Sequence, residues 1–322
     1  MTTKMMKLVA GAAVVAAGVM TANGADAAKT QKREDILIRD PFVLADGDTY
    51  YLYENNVWMG GKGIGVRTSK DLETWSGEST TVMAIPDDVK AKAVWAPEVF
   101  KYKDAYWLLA TLTFDPDPAH PIAPMKQEGF AGGALFPRGV WVFRSESPRG
   151  PFVPVKKGSV TPADWMCLDG TLWVEDGTPW MVFCFEWHQV GNGRMMAAPM
   201  SEDLSRFTAE PIELFRAADV PNGGYITDGP FLVRDAGGKL RMIWSNYLKD
   251  TGYCVLQCTS ASGSVKGPWK DHRPIFTKDG GHGMIFRKHD GVDVLAIHAP
   301  NSGSKERMQI IPVKITENGV EL

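Results

Sequence analysis

The same short pattern occurs five times in the sequence, and this repeat is the strongest constraint on the fold. Each copy begins with a polar residue, runs into an apolar strand, turns and returns as a second strand. The first copy, IRDPFVLADGDTYYLYEN at 38–55, has an Asp-Gly turn between strand formers, which predicts a β-hairpin. The others begin APEVF at 96–100, LDGTLW at 168–173, TDGPF at 227–231 and GHGMIF at 281–286.

A second recurring piece follows most of these hairpins. In GVRTSKDLETW at 65–75 and WVFRSESPRGPF at 141–152, a strand is followed by a short turn and an aromatic residue that opens another strand. The repeating unit is therefore about four antiparallel strands, without helical periodicity between them. Such repeats predict an all-β fold, a five-bladed β-propeller. A β-sandwich is the competing architecture, but it does not require evenly spaced copies.

The polar residue that opens each copy should lie at one mouth of the central channel. The first strand of every blade lines that channel, so equivalent residues lie at one height around the axis. Like charges held close together raise one another's pKa and have no evident structural benefit, so we interpret the ring as functional. Its predicted members are Asp40, Glu98, Asp169, Asp228 and His282.

The first 27 residues have the features of a signal peptide. Lys4 and Lys7 precede an apolar stretch at 8–20 that is too short to span a bilayer, and Ala25-Asp26-Ala27 resembles a cleavage site. We therefore expect one propeller domain over 28–322. The protein is predicted to be periplasmic or secreted, without a membrane anchor.

Composition limits the partners that the protein can have. The formal net charge is −3 and no basic cluster stands out, which argues against nucleic acid. Four cysteines in an exported chain allow disulfides, and Cys167 and Cys184 flank a predicted turn, so either a bond between them or free buried thiols is possible. The oligomeric state is not indicated.

Paired carboxylates in a concave, tryptophan-rich site are what the hydrolysis of a glycoside requires. One carboxyl must be protonated to donate to the leaving oxygen, and another must be ionised to activate water or to attack the sugar. Carboxylates supplied by different blades tend to lie well apart, leaving room for a water molecule. Separations of about 6.5–9.5 Å correspond to inversion of configuration, which we predict here.

The five motifs RDPFV, WAPEVF, LDGTLW, TDGPF and GGHGMIF together resemble those of glycoside hydrolase family 43. The resemblance covers nearly all of 28–322 and implies an inverting five-bladed propeller enzyme. It implies α-L-arabinofuranosides as the first choice of substrate, with β-xylosides or β-galactosides next. No cofactor is implied as a requirement.

The resemblance also implies catalytic roles. Asp40 matches the general base, and Asp169 matches the carboxylate that orients the acid and modulates its pKa. The family's acid is usually the Glu of a Glu-Gly-Pro motif, which here reads Asp228-Gly229-Pro230. Because Asp is one methylene shorter, Glu186 at the end of another strand is an equal candidate for the acid.

Further residues are candidates for substrate binding. Glu98, Trp95, Trp187 and His282 lie near motif ends, although each also has a structural interpretation. His282 matches a family position that can hold calcium, so a Ca²⁺ ion near it is possible. Arg39 should point to the opposite strand face from Asp40 and is not assigned to the site.

Two other functions compete with an inverting hydrolase. The Glu-to-Asp change at 228 would suit a sugar-binding propeller without catalysis, and a retaining fructoside-type hydrolase has the same fold. The Pro- and Gly-rich segment 113–140 is expected to be a loop on the binding face. We expect it to close one side of the channel mouth, which predicts an enzyme that acts at chain ends or removes side branches.

Overall fold

A computed structural model describes residues 29–55, 63–119, 121–125 and 135–322. The predicted signal peptide and the central part of the 113–140 segment lie outside these ranges. Within them, no helix has both the length and the apolar character needed to cross a membrane.

The first blade is the most extended of the five sheets. Its strands pair in the order β1-β5-β4-β3-β2, and β6 also pairs with β4. These strands are β1 (Thr30–Lys32), β2 (Phe42–Asp46), β3 (Thr49–Asn55), β4 (Gly63–Ser69), β5 (Thr74–Ser76) and β6 (Thr80–Ala84).

The next three blades each contain four antiparallel strands in sequence order. Blade two has β7 (Ala93–Tyr102), β8 (Ala105–Thr113), β9 (Arg138–Ser145) and β10 (Val153–Pro154). Blade three has β11 (Cys167–Glu175), β12 (Thr178–Phe185), β13 (Arg194–Pro199) and β14 (Ile212–Arg216). Blade four has β15 (Asp228–Arg234), β16 (Leu240–Leu248), β17 (Gly252–Ser260) and β18 (Trp269–Phe276).

Blade five closes the ring. It consists of β19 (Gly281–Arg287), β20 (Asp293–Ala299) and β21 (Arg307–Pro312), followed by a hairpin of β22 (Lys314–Thr316) and β23 (Gly319–Glu321). The helical elements of the described residues include the short helix α1 (Trp187–Val190) and 3-10 turns at Arg33–Asp35, Ala217–Asp219 and Gly303–Lys305. The segment before β2 pairs with the start of β21 through an isolated bridge between Leu37 and Arg307. Beside it, the Ile38 N–H donates to the Glu306 carbonyl oxygen at 3.3 Å.

The first strands of the blades form a closed circle, which confirms the predicted five-bladed propeller. In sequence order, β2, β7, β11, β15 and β19 each contact the next, and β19 contacts β2. The hydrophobic core is divided into clusters of buried residues shared between neighbouring blades. Apolar side chains on both faces of each sheet are thereby covered, as stacked blades require.

One residue at the start of each inner strand adopts a left-handed backbone conformation. The φ angles are 51° at Asp40, 44° at Ala96, 54° at Asp169, 51° at Gly229 and 43° at His282. In the last four of these blades the residue lies in a break of the strand register, and in every blade a Pro or Gly follows it. A left-handed residue in a bulge re-aims its side chain.

This conformation corrects the predicted ring of equivalent residues. Asp40, Asp169 and His282 do occupy the same repeat position. Asp228 precedes that position by one residue, because Gly229 occupies it, and Glu98 follows it by two, because Ala96 occupies it.

Side chains of neighbouring strands hold the left-handed residues in place. The Asp169 N–H donates to Thr111 Oγ1 at 3.0 Å, the His282 N–H to Ser245 Oγ at 3.0 Å, and the Asp40 N–H to His298 Nδ1 at 3.2 Å. Thr111, Ser245 and His298 all come from the second strand of the preceding blade, at the same height. We call these three contacts the strand latches.

All four cysteines are free and buried. Cys167 lies opposite Phe185 and Cys184 opposite Leu168, so the two are offset by one residue across the hairpin. They belong to different hydrophobic clusters on the two faces of the sheet. Of the two possibilities left open by the sequence, the structure has free thiols.

Candidate active site

The polar residues of the inner strands converge on a pocket of about 170 Å³ at one mouth of the channel. Asp40, Asp169, Asp228 and His282 line it from four blades. Glu186 contributes from the end of β12, directly before α1. Of the site residues predicted from the sequence, these five are brought together, with Trp95 and Trp187 in the same wall.

His282 lies at the centre of the carboxylates. Its Nδ1 is 3.5 Å from Asp40 Oδ1 and 3.6 Å from Asp169 Oδ2, so those two oxygens lie within about 7 Å of one another. Its Nε2 is 4.0 Å from Glu98 Oε1. Burial alone lowers the pKa of His282, but the three carboxylates outweigh burial and raise this pKa to about 10. His282 is therefore an imidazolium at neutral pH.

The Asp40 carboxyl is held in its ionised form. Burial raises its pKa, but the opposing charges around it, chiefly those of His282 and Arg39, outweigh burial and hold the pKa well below the usual range. Arg39 Nε lies 3.8 Å from Asp40 Oδ1 and lines the same pocket, so the prediction that Arg39 points away was wrong. The left-handed turn at Asp40 interrupts the strand alternation on which that prediction depended.

Asp169 and Asp228 form a coupled pair of buried carboxyls. Burial is the largest cause that raises the pKa of Asp169, to about 8; His282 opposes this, and Asp228 and Asp40 add to it. Burial also raises the pKa of Asp228. Asp169 Oδ2 accepts the Gly229 N–H at 3.0 Å, and the Tyr253 hydroxyl donates to Asp228 Oδ2 at 3.0 Å. This pair therefore retains a proton at neutral pH.

Glu186 is a third buried carboxyl with a raised pKa. Burial raises the pKa to about 7, an effect that Arg138 opposes and Asp228 reinforces. Arg138 Nη1 lies 3.0 Å from Glu186 Oε1 and 2.9 Å from Oε2. Glu186 therefore has a cationic partner that favours its ionised form, whereas the hydrogen-bond partner of Asp228 is the neutral Tyr253 hydroxyl.

Glu98 lies deeper in the channel than the sequence suggested. It is buried beside His282 and is absent from the pocket wall. Its position two residues beyond the left-handed turn explains this depth. Contact with the imidazolium fits the structural interpretation of Glu98 better than direct contact with substrate.

The tryptophans are placed as the sequence analysis proposed. The Trp95 Nε1–H donates to Thr113 Oγ1 at 3.0 Å, which fixes the ring in the wall. Trp187 begins α1 and is half-buried. The described start of the 113–140 segment reaches this helix, where the Met125 N–H donates to the Gln189 carbonyl oxygen at 3.0 Å.

The side chains around His282 are poorly arranged to bind a calcium ion. Both ring nitrogens face carboxylate oxygens at ion-pair distances, and a protonated imidazole has no lone pair for a metal. Within the ranges described, no cluster of three or more His, Cys, Asp or Glu side chains is arranged to hold an ion. The calcium hypothesis stays a prediction, and no step below depends on it.

The profile of the family "Glycosyl hydrolases family 43" matches residues 35–320. The chain belongs to this family. It is therefore a glycosidase, an enzyme that hydrolyses O-glycosyl compounds, with a carbohydrate as its substrate. A search of curated protein sequences gives no match.

Solved structures of family 43 enzymes are similar over nearly the whole chain. An endo-arabinase from Bacteroides thetaiotaomicron VPI-5482 is 33% identical, with a TM-score of 0.75, covering 89% of this chain and 97% of its own. An endo-1,4-beta-xylanase from the same organism is 22% identical, with a TM-score of 0.70 and coverage of 91% and 96%. An alpha-L-arabinofuranosidase from Lactobacillus brevis is 16% identical, with a TM-score of 0.67 and coverage of 90% and 96%. The last two show the fold alone.

Sequence reasoning missed several residues of the family 43 site. Arg138, Tyr253 and His298 contact Glu186, Asp228 and Asp40 respectively, but none lies in a repeated motif. An available signal was the Pro or Gly after each left-handed residue. Aligning the repeats on Pro41, Pro97, Gly170, Pro230 and Gly283 gives the register that the structure has.

Proposed function

We propose that this family 43 glycosidase cleaves α-L-arabinofuranosidic linkages in plant polysaccharides with inversion of configuration. Asp40 acts as the general base that deprotonates water, and Asp169 orients the acid and raises its pKa. One observation carries this proposal: the ionised Asp40 carboxyl and the protonated Asp169 carboxyl share one pocket, where both lie within 3.6 Å of Nδ1 of the His282 imidazolium. Environments that separate the pKa values of neighbouring carboxyls are typical of acid–base catalysis.

Asp228 is our first choice for the general acid. Burial, reinforced by Asp40, raises its pKa as an acid requires, whereas Glu186 is bound closely by Arg138. The shorter side chain of Asp228 requires the leaving oxygen to approach more closely than it would to a glutamate. Glu186 remains the second candidate because burial raises its pKa to about 7.

Support for arabinan as the substrate comes from the endo-arabinase to which the chain is 33% identical. A second cavity of about 610 Å³ adjoins the catalytic pocket and shares Arg39 and Trp95 with it. Tyr247 and Asn301 also line this cavity, which offers room for further sugars of a bound chain. Attack at chain ends stays a prediction, because the central part of 113–140 lies outside the described residues. β-Xylosides and β-galactosides are the next candidates.

We also propose that the enzyme is exported to the periplasm or the medium. The basic start, the short apolar stretch and the Ala25-Asp26-Ala27 sequence support cleavage near residue 28. N-terminal sequencing of the protein secreted by an expressing cell tests this. A start near Ala28 is expected, and an intact Met1 in the exported fraction would contradict it.

The activity is tested with aryl α-L-arabinofuranosides, β-xylosides and β-galactosides, together with linear arabinan. We expect release from the arabinofuranoside and from arabinan, and loss of both in the Asp40→Asn variant. Removing a general base costs about 10²–10⁴-fold in rate. Release from xylosides or galactosides alone would overturn the substrate proposal, and unchanged activity in Asp40→Asn would overturn the role of Asp40.

A further inference from the structure

The three strand latches are alike in position but not in chemistry. At two of them a hydroxyl, Thr111 or Ser245, accepts the N–H of the left-handed residue. The third latch, which holds Asp40, is the imidazole of His298. A hydroxyl is sufficient for the structural task in the other blades, so the imidazole has a further role at this one.

His298 contacts Asp40 twice. Nδ1 accepts the Asp40 N–H at 3.2 Å and lies 3.3 Å from the Asp40 Oδ1 atom. The serine or threonine hydroxyl of the other latches accepts the backbone N–H of its partner, whereas the larger His298 ring also lies against the Asp40 carboxylate. The hydrogen bond holds the backbone of Asp40, and the ring packed beside Oδ1 limits the space that is open to the carboxylate.

His298 is itself fixed on its other side. Since Nδ1 accepts, Nε2 carries the proton and faces Asn301 Oδ1 at 3.3 Å. Arg39 Nη1 donates to the same Asn301 oxygen at 3.0 Å, and to Glu306 Oε1. Arg39 Nε in turn lies 3.8 Å from Asp40 Oδ1, so a closed circuit of polar contacts runs from Asp40 through His298, Asn301 and Arg39 back to Asp40.

The imidazole has no freedom to leave this arrangement. His298 is fully buried, and its ring stacks on Tyr253 with 5.8 Å between ring centroids and 21° between planes. Tyr253 is the residue that donates to Asp228. The rigid His298 ring therefore contacts Asp40, the proposed base, and also Tyr253. Tyr253 in turn contacts Asp228, the proposed acid.

We propose that His298 is a positioning residue for catalysis, which holds the Asp40 carboxylate in line with the attacking water. This inference rests on the proposed role of Asp40 as general base. His298 makes no contact with substrate in this account, so its loss should lower kcat and leave KM nearly unchanged. Misplacing a reacting group by about 1 Å can cost about 100-fold in rate.

The test compares two amide variants that retain different halves of the imidazole. In His298→Asn the amide oxygen reaches the place of Nδ1 and can accept the Asp40 N–H. In His298→Gln the amide reaches the place of Nε2 instead. We expect His298→Gln, which loses the latch, to lose about 100-fold in kcat on an aryl α-L-arabinofuranoside, and His298→Asn, which keeps the latch but not the ring, to lose clearly less, with KM alike in both.

Gln257→Ala is the matched control for a buried hydrogen-bonding side chain outside the site. Gln257 accepts the Val320 N–H at 2.9 Å and donates to the Val320 carbonyl oxygen at 2.8 Å, so its loss should lower the melting temperature without lowering kcat. Equal kcat in the two His298 variants, after correction for the folded fraction, would overturn the positioning role. An inactive wild-type enzyme on every aryl glycoside would instead overturn the proposed function, which separates the two failures.

Discussion

The four carboxyls within one pocket differ in protonation because their neighbours differ. Asp40 lies beside the cationic side chains of His282 and Arg39, which keep it ionised. Asp169 has Asp228 as a neighbour, and Glu186 has both Asp228 and Arg138. A hydrolase needs this contrast, because the base must be charged at the pH at which the acid still holds its proton.

Substitution of the two acid candidates should separate their roles. In Asp228→Asn we expect hydrolysis of arabinan to fall by about 10²–10⁴-fold, while an aryl glycoside with an activated leaving group is largely spared. In Glu186→Gln we expect a smaller loss that is similar for both substrates. Steady-state rates on the two substrates measure this. A selective loss of arabinan hydrolysis in Glu186→Gln would transfer the role of acid to Glu186.

The pH profile gives a second test of the same assignment. The acid must be protonated, so activity should fall as pH rises through the raised pKa of the Asp169–Asp228 pair, which is about 8 for Asp169. The dependence of kcat/KM on pH should keep this falling limb in Glu186→Gln. A limb near pH 7 in the wild type that disappears in Glu186→Gln would indicate Glu186 as the acid, since its pKa is about 7.

Among the structural elements, the bulged start of each inner strand determines where the site residues point. Gly229 occupies the left-handed position of blade four, and a Cβ there would lie 2.8 Å from two ring carbons of His282. We expect Gly229→Ala to displace the imidazolium and to lower kcat by at least tenfold. Activity and melting temperature should be measured together.

Gly238→Ala is the control for backbone strain alone. Gly238 has a φ of +79° and open space around its missing Cβ, so alanine there adds strain without a collision. It should lose about 1 kcal/mol of stability and keep its activity. If Gly229→Ala were as active as Gly238→Ala, the close packing of His282 against blade four would not matter for catalysis.

The repeats predicted the number and type of strands well, because alternating apolar residues and Asp-Gly turns are local signals. They predicted the height of Asp228 and Glu98 incorrectly, because a bulge shifts the register by one or two residues. The contact of Arg138 with Glu186 joins blades two and three, and the contact of Tyr253 with Asp228 joins the third and first strands of blade four. Such contacts join residues 25 and 48 positions apart and leave no local signal in the sequence.

Across the whole molecule, the ring brings buried acids together at a cost in stability. The pKa of Asp169 in the folded protein is raised above its unfolded value, so its ionisation favours unfolding. We expect Asp169→Asn to raise the melting temperature at pH 7 by a few degrees while abolishing activity, as is common for catalytic groups. Calorimetry as a function of pH checks this.

Because folding raises the pKa of Asp169, the gain in stability expected for Asp169→Asn depends on pH. Below about pH 4 the Asp169 carboxyl is protonated in both the folded and the unfolded protein, so the gain from Asn should vanish there. Asp203→Asn serves as a control, because hydrogen bonds from Ser201 and Ser205 lower the pKa of this surface residue and its loss should not stabilise the protein. A lower melting temperature in Asp169→Asn at pH 7 would contradict the proposed cost in stability of the buried Asp169 carboxyl.

The configuration of the first sugar released tests the account as a whole, since only water activated by Asp40 on the face opposite the acid gives inversion. Proton NMR during the first minutes of hydrolysis of an aryl α-L-arabinofuranoside distinguishes the two anomers before they equilibrate. We predict that β-L-arabinofuranose appears first. If the α-anomer appears first, a carboxylate attacks the sugar directly, and the assignment of Asp40 as a base is wrong.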